Sequence, residues 1–347
     1  MKVSSQNNWK SLRSSILRQA LLLTCLVFFG TAAAQETAQE RNDRERSENI
    51  DPRVVAEGEL WFQRMHQALT QLNYTASFVT VTNHSVQTYR WMQSHTPAGS
   101  RVELIETLNG PLNQSIRLNN QVVYVRPMSR PYSTRANALV SPIPAALYQH
   151  FSKIDESYQA ISLAGERVVD RNAVRLRLMS RERNRYFYSL WVDRETGMLL
   201  GVQTHTAEGG FVEQVMLTSF QPHSVPLQEA LVIENEWQHV PPTQELEQAE
   251  PRSQWQFSNL PSGFELQRSQ HIQVAMNGPP ADHFLFSDGM VNFSVYISEG
   301  AERSTPMQYQ GELSFITVEQ ADFTVTVVGR IPLQLSEQIA NSVSRKP

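Results

Sequence analysis

Tyr186-Phe-Tyr-Ser-Leu-Trp-Val-Asp-Arg-Glu-Thr-Gly-Met-Leu-Leu200 reads as two strands and a turn. Tyr186 to Val192 is aromatic and β-branched, Glu195-Thr196-Gly197 supplies the turn, and Met198 to His205 resumes the extended pattern. Strands joined this closely pair antiparallel, because a parallel crossover takes a dozen residues or more. The pattern repeats outward from this stretch. Tyr74, Ala76 and Phe78 alternate with Thr75 and Ser77, and Val86–Met92 and Val102–Thr107 behave alike. Ile116–Leu118 and Val122–Val125 flank the hairpin signal Asn119-Asn120. Further strands are expected over Ala160–Leu163, Val174–Met179 and Phe211–Phe220. The predicted fold class is α+β and mostly antiparallel β.

Helices frame these strands. Asp51-Pro52 offers an N-cap acid and a first-turn proline. Trp61, Met65, Leu69 and Leu72 follow at helical spacing over about 20 residues. Ser141-Pro142-Ile143-Pro144 interrupts the sheet, and Leu147, Phe151 and Ile154 predict a short second helix. Residues 221–253 carry five prolines and six glutamates and read as a partly extended linker. A second, smaller unit occupies 254–347. In it Phe284–Ser287 and Met290–Ile297 flank Asp288-Gly289, predicting a hairpin with a type I′ turn. Leu313–Val318 and Phe323–Val328 form another strand pair, and Pro332 opens a helix striped by Leu335, Ile339 and Val343.

The first 34 residues have a different character. Lys2, Lys10, Arg13 and Arg18 precede the apolar run Ala20–Gly30 and then Ala32-Ala33-Ala34, the layout of a secretory signal peptide. The run is too short for a bilayer, which takes about 20 residues. The expected organisation is therefore a signal peptide over 1–34, a charged disordered leader over 35–50, a large β domain over 51–220, the linker over 221–253 and the smaller domain over 254–347. Without residues 1–34 the chain keeps 26 of its 30 Lys and Arg against all 34 Asp and Glu, a formal net charge of −8. An acidic chain lacks the concentrated positive charge that nucleic acid demands. Its one cysteine, Cys25, lies in the apolar run, so the exported product would have neither disulfides nor thiol chemistry.

Catalytic motifs are missing: no Gly-x-Ser-x-Gly elbow, phosphate loop or His-Glu-x-x-His occurs. No cofactor or metal is expected, and Asp282-His283 with Asp288 reads more simply as a solvated hairpin than as a metal site. Two constellations remain. Arg175, Arg177, Arg181, Arg183 and Arg185 all occupy odd positions, and in an extended chain several would share a face. They fit either a contact for an anionic headgroup or acidic segment, or a solvated strand face with an arginine-rich turn. Phe78, Val102, Leu104, Val123, Val125, Leu190 and Val192 are candidates for lining an apolar cavity inside a curved sheet, or else plain core.

The stretch 186–200, with Val212-Glu-Gln214, resembles the RseB/MucB family of periplasmic regulators of the envelope-stress sigma factor sigma-E. Leu260-Pro-Ser-Gly-Phe264, Phe286–Val295 and Val325-Thr-Val-Val-Gly-Arg-Ile-Pro332 fit the same family in the same order. The resemblance implies a large unclosed β-barrel like those of LolA and LolB, plugged by helices, with a smaller C-terminal α+β domain. It implies a periplasmic, non-catalytic protein that grips the periplasmic segment of a membrane anti-sigma factor and shields it from regulated proteolysis. Lipopolysaccharide or the acyl chains of mislocalised lipoprotein would release it, and self-association into a homo-oligomer is implied as well. A periplasmic lipid carrier of the LolA type is the alternative, and an exported hydrolase a third reading.

Overall fold

The computed structural model describes residues 50–136, 139–243, 254–273, 280–300, 307–311 and 313–346. The expected signal peptide and all of the leader but Ile50 lie outside the described residues, as do residues 244–253 of the expected linker.

The large domain is one antiparallel sheet of eleven strands: β1 (Asn73–Thr82), β2 (Val86–His95), β3 (Arg101–Thr107), β4 (Gln114–Leu118), β5 (Gln121–Val125), β6 (Tyr132–Arg135), β7 (Tyr158–Val168), β8 (Arg171–Ser180), β9 (Phe187–Asp193), β10 (Leu199–His205) and β11 (Phe211–His223). Strands β1 to β6 run as one meander and β7 to β11 as another. The two meanders join where β1 pairs with β11, from Asn73↔His223 to Thr82↔Glu213. Strands β6 and β7 are the two edges and do not pair with each other, so the sheet is unclosed. Alternation decides what faces the concave side. In β1 it is Tyr74, Ala76, Phe78 and Thr80.

Helix α1 (Pro52–Gln71) fills part of that concavity with Phe62, Met65, Ala68 and Leu69. The expected stripe included Trp61, but Phe62 takes that place. Trp61 lies at the edge instead, its ring covered by the Arg64 guanidinium at 4.9 Å. Each large apolar side chain buried here contributes roughly 1.5–3 kcal/mol. The predicted second helix is two 3-10 turns, Ala145–Tyr148 and Phe151–Lys153, separated by Gln149 and His150 in extended backbone. Phe151 packs against Phe62 at 5.1 Å.

The expected linker departs most from its reading. Residues 226–243 fold back on the large sheet, with helix α2 (Gln228–Glu236) lying on the convex face. Ala230 packs there against Met92, Val102 and Leu104. The helix is tied down by ion pairing of Glu229 with Arg90, by Thr96 Oγ1 donating to Glu234 at 2.9 Å and by Trp237 Nε1 donating to Gln121 at 2.8 Å. The glutamates that read as linker composition are thus partly anchors.

The smaller domain pairs β12 (Trp255–Phe257) with β19 (Val343–Arg345). Its main sheet has six antiparallel strands, in the order β13 (Glu265–Gln273), β14 (Pro280–Ser287), β15 (Asn292–Glu299), β18 (Phe323–Gly329), β17 (Ser314–Glu319) and β16 (Gln308–Gln310). Helix α3 (Leu333–Ser342) follows Pro332 and buries Leu335 and Ile339. The Asp288-Gly289 turn is not type I′. Only Gly289 has a positive φ, and the loop spans four residues because the Asp288 carboxylate accepts from the backbone N–H groups of Met290 and Val291, at 2.9 and 2.8 Å.

Gly58 tests the seating of α1. A Cβ at this position would come within 2.5 Å of the Ala160 carbonyl oxygen in β7. Glycine to alanine inside a helix ordinarily stabilises by about 0.8–1 kcal/mol. Gly58→Ala is expected to reverse that sign and cost about 1–3 kcal/mol by overpacking, read as a lowered urea midpoint. A raised midpoint would mean that α1 does not lie against β7.

Candidate functional site

The two domains meet through a buried ion pair. Arg185 lies just before β9 with its side chain 1% exposed, and its Nη1 donates to Asp288 Oδ2 at 2.8 Å. Tyr158 OH donates to the same oxygen at 2.6 Å. The guanidinium lies over the rings of Phe264 and Tyr158, at 4.5 and 5.5 Å, and also donates to the Ser262 carbonyl. One Asp288 oxygen thus takes two donors from the large domain while the other shapes its own loop. Burial raises the Tyr158 hydroxyl well above its ordinary pKa, so it remains a donor.

Further bonds extend the junction. Glu182 accepts from Ser262 N–H at 3.0 Å, Ala146 N–H donates to the Gly289 carbonyl at 2.9 Å, and Gln310 Nε2 donates to Tyr186 OH at 2.7 Å. Arg330 pairs with Glu213. Burial raises the Glu182 pKa, but the bonds from Ser262 and Asn184 and the charge of Arg185 outweigh it, so the net shift is downward.

Beside the junction is a cleft of about 860 Å³. Its floor is concave sheet, with Tyr89, Ile105, Tyr188, Val202 and Val215. The chain from Leu139 to Ala145 forms one wall, and Ser287, Gly289–Asn292, Leu313 and Arg330 of the smaller domain form another. Thr80, Gln87, Thr107 and Asn113 add polar groups. The Tyr188 hydroxyl is buried without a hydrogen-bond partner among the described residues, and burial raises its pKa well above the ordinary value. A buried donor left in this state costs about 1–3 kcal/mol, which a bound acceptor would recover.

None of the seven cavity candidates lines this cleft. Phe78, Leu190 and Val192 do face the concave side but are packed in its core, Phe78 against Tyr89 at 4.7 Å. Val102 and Leu104 face the opposite way, under α2. The parity of β3 gives its inward place to Glu103, which is fully buried and meets Arg117, Trp91 Nε1 at 3.1 Å and Tyr148 OH at 3.2 Å. Val123 and Val125 alternate with Val122 and Tyr124 of the concave core and so take the convex face.

The five arginines do not converge. Arg175 and Arg177 lie on the outer face of β8, Arg175 3.6 Å from Glu166 and Arg177 over the Phe187 ring at 5.1 Å. Arg181 donates to the Asp155 carbonyl at 2.7 Å, and Arg183 occupies a turn with φ 56°. Arg185 is the interdomain pair. Odd parity keeps a common face only while the chain stays extended, and the turn after Ser180 ends it. Asp282 accepts from Trp255 Nε1 and bonds His271, both at 2.7 Å, and no group of metal-ligating side chains forms among the described residues.

The MucB/RseB N-terminal domain model matches residues 57–243, and the MucB/RseB C-terminal domain model matches 249–344. The chain belongs to the MucB/RseB family. It is similar to the sigma-E factor regulatory protein RseB of Salmonella typhimurium, 27% identical over 287 residues that cover 81% of this chain and 88% of that protein. It is also similar to the sigma factor AlgU regulatory protein MucB of Pseudomonas aeruginosa, 26% identical over 301 residues, 83% of this chain and 91% of that protein. A solved structure of the Pseudomonas aeruginosa MucA/MucB complex matches with a TM-score of 0.66 at 23% identity, covering 84% of this chain and 99% of that one. The likeness extends across both domains of the fold.

The ion pair makes a direct prediction. Arg185→Leu strands a buried carboxylate and is expected to cost about 3–5 kcal/mol. Adding Asp288→Asn should cost less than the two single changes summed, by at least about 1 kcal/mol in urea unfolding. Strictly additive costs would show that the two groups are not coupled.

Proposed function

We propose that this MucB/RseB family member is a periplasmic binding regulator without catalysis. It holds the periplasmic segment of a membrane anti-sigma factor and shields it from the protease that starts the stress response. Lipopolysaccharide or mislocalised lipoprotein then releases it. The observation that carries this reading is the pair of family matches, in order and together spanning both domains. The names of the relatives, regulators of sigma-E and of AlgU, supply the class of pathway. The sequence signature of residues 1–34 supports the compartment.

The cleft beside the ion pair is the favoured binding place. Both domains wall it, and it offers apolar floor, polar edges and the unsatisfied Tyr188 hydroxyl. A segment lying there would be covered on two sides. Release follows by linkage: a lipid that prefers the segment-free state weakens segment binding by its own differential affinity. Self-association belongs to the same proposal and is read by sedimentation. The carrier alternative has less support at the residues first expected to hold acyl chains, because Phe78, Leu190 and Val192 are packed in the core and do not line the cleft.

The experiment is capture of the host's anti-sigma periplasmic segment, with its proteolysis followed alongside. Binding and slowed cleavage are expected. Tyr188→Phe is expected to fold at least as stably and to weaken capture about five- to tenfold if the segment supplies the missing acceptor. Absence of both capture and protection would overturn the regulatory reading. Unchanged affinity in Tyr188→Phe would move the binding place away from this floor.

A further inference from the structure

Three neighbouring turns at one end of the large sheet carry an apolar patch that is exposed among the described residues. The β1–β2 turn ends at Val86, the β3–β4 tip holds Leu108 and Leu112, and the β5–β6 tip holds Met128. Val86 is 65% exposed, Leu108 53%, Leu112 52%, and Met128 wholly so. The register places them side by side. Leu108 N–H donates to the Thr88 carbonyl at 2.9 Å and Gln87 Nε2 to the Asn109 carbonyl at 3.3 Å, while Arg126 Nη1 donates to the Gln114 carbonyl at 2.9 Å. Thr82, Gln87, Thr107, Asn113 and Arg126 of these same strand ends line the cleft, so the patch borders its mouth.

Two independent features point to one occupant. The first is charge. Residues 82–86, 107–114 and 126–132 contain Arg126, Arg130 and His84 but no Asp or Glu, in a chain whose formal net charge is −4. The second is backbone. Met128 has φ 59°, a conformation that favours glycine or asparagine, and its side chain packs against nothing that would repay the strain. Apolar side chains held out on three acid-free tips, with Pro111 on the β3–β4 tip and Pro127, Pro131, Arg126 and Arg130 on the β5–β6 tip, match the chemistry of an anionic lipid interface.

We propose that these three tips form a shallow insertion surface for an anionic phospholipid bilayer, which would set the cleft mouth against the membrane. The patch differs from the seven cavity candidates and from the five arginines considered above. It is also independent of partner binding, because vesicle association is measured without any segment.

The test is vesicle flotation with the chain from Gln35 onward. That chain retains every described element and lacks the apolar run Ala20–Gly30, which would itself bind lipid. Vesicles of phosphatidylglycerol with phosphatidylethanolamine are compared with vesicles of phosphatidylcholine alone. Preferential flotation with the anionic vesicles is expected, weakened by salt. Leu108→Ser with Met128→Asn should lower the bound fraction about tenfold, and Arg130→Gln about fivefold. Met128→Asn alone should leave the thermal midpoint unchanged or raised, which separates lost binding from lost folding. No flotation of the parent, or equal flotation of the variants, overturns the proposal. So does a parent dimer in lipid-free sedimentation that Leu108→Ser dissociates while flotation persists, since the patch would then join two copies of the chain.

Discussion

The buried pair between Arg185 and Asp288 is the constraint on which the two-domain arrangement depends. A guanidinium and a carboxylate leave water together only when their remaining hydrogen-bonding capacity is met. Here Tyr158, Ser262 and the N–H groups of Met290 and Val291 meet most of it, with two aromatic rings beneath the cation. Sliding the smaller domain by one residue would strand both charges. The cleft inherits its definition from this pair, because Gly289–Asn292, in the loop that Asp288 organises, form part of its wall. Gly289 itself needs its positive φ, and a Cβ there would come within 3.1 Å of Ala146 Cβ, so the loop and the 3-10 turn approach as closely as glycine permits.

The large sheet meets a different constraint. Eleven strands curve without closing, so the concave face must be covered by something other than strand pairing. Helix α1, the 3-10 turns and the smaller domain share that task. Within the concavity a second buried pair, Glu103 with Arg117, fixes the register of β3 against β4, where the two residues lie directly opposite. On the outer face α2 covers Met92, Val102 and Leu104. Both faces of β3 are therefore buried, which is why its apolar run did not reveal which side was inward.

Much of the fold was legible because it rests on local pattern. Alternation in Tyr74–Phe78, short turns such as Asn119-Asn120 and the helical spacing of Met65 and Leu69 all read correctly. The largest errors depend on long-range contact. The 221–253 composition reads as linker until Glu229 and Glu234 find Arg90 and Thr96 across the sheet. The candidate site was less legible still. Arg185 shares its spacing with four solvated or surface-paired arginines, and only the fold separates it from them. Tyr188 lies inside the very stretch that decides the fold, yet its unpartnered hydroxyl is a property of its surroundings. One signal was available: Glu103, a lone carboxylate amid Val102, Leu104 and Ile105, faces Arg117 once the β3–β4 hairpin register is written out.

The picture is of a clamp. An ion-paired junction holds two β-rich domains around a cleft in which the Tyr188 hydroxyl has no hydrogen-bond partner among the described residues, and the proposed function places a partner segment in it. Hydrogen exchange of the chain with and without the anti-sigma segment tests this most directly. The account predicts new protection at residues 139–145 and 287–292, the two walls of the cleft. Protection confined to α2 and the convex strands, with both walls unchanged, would contradict it.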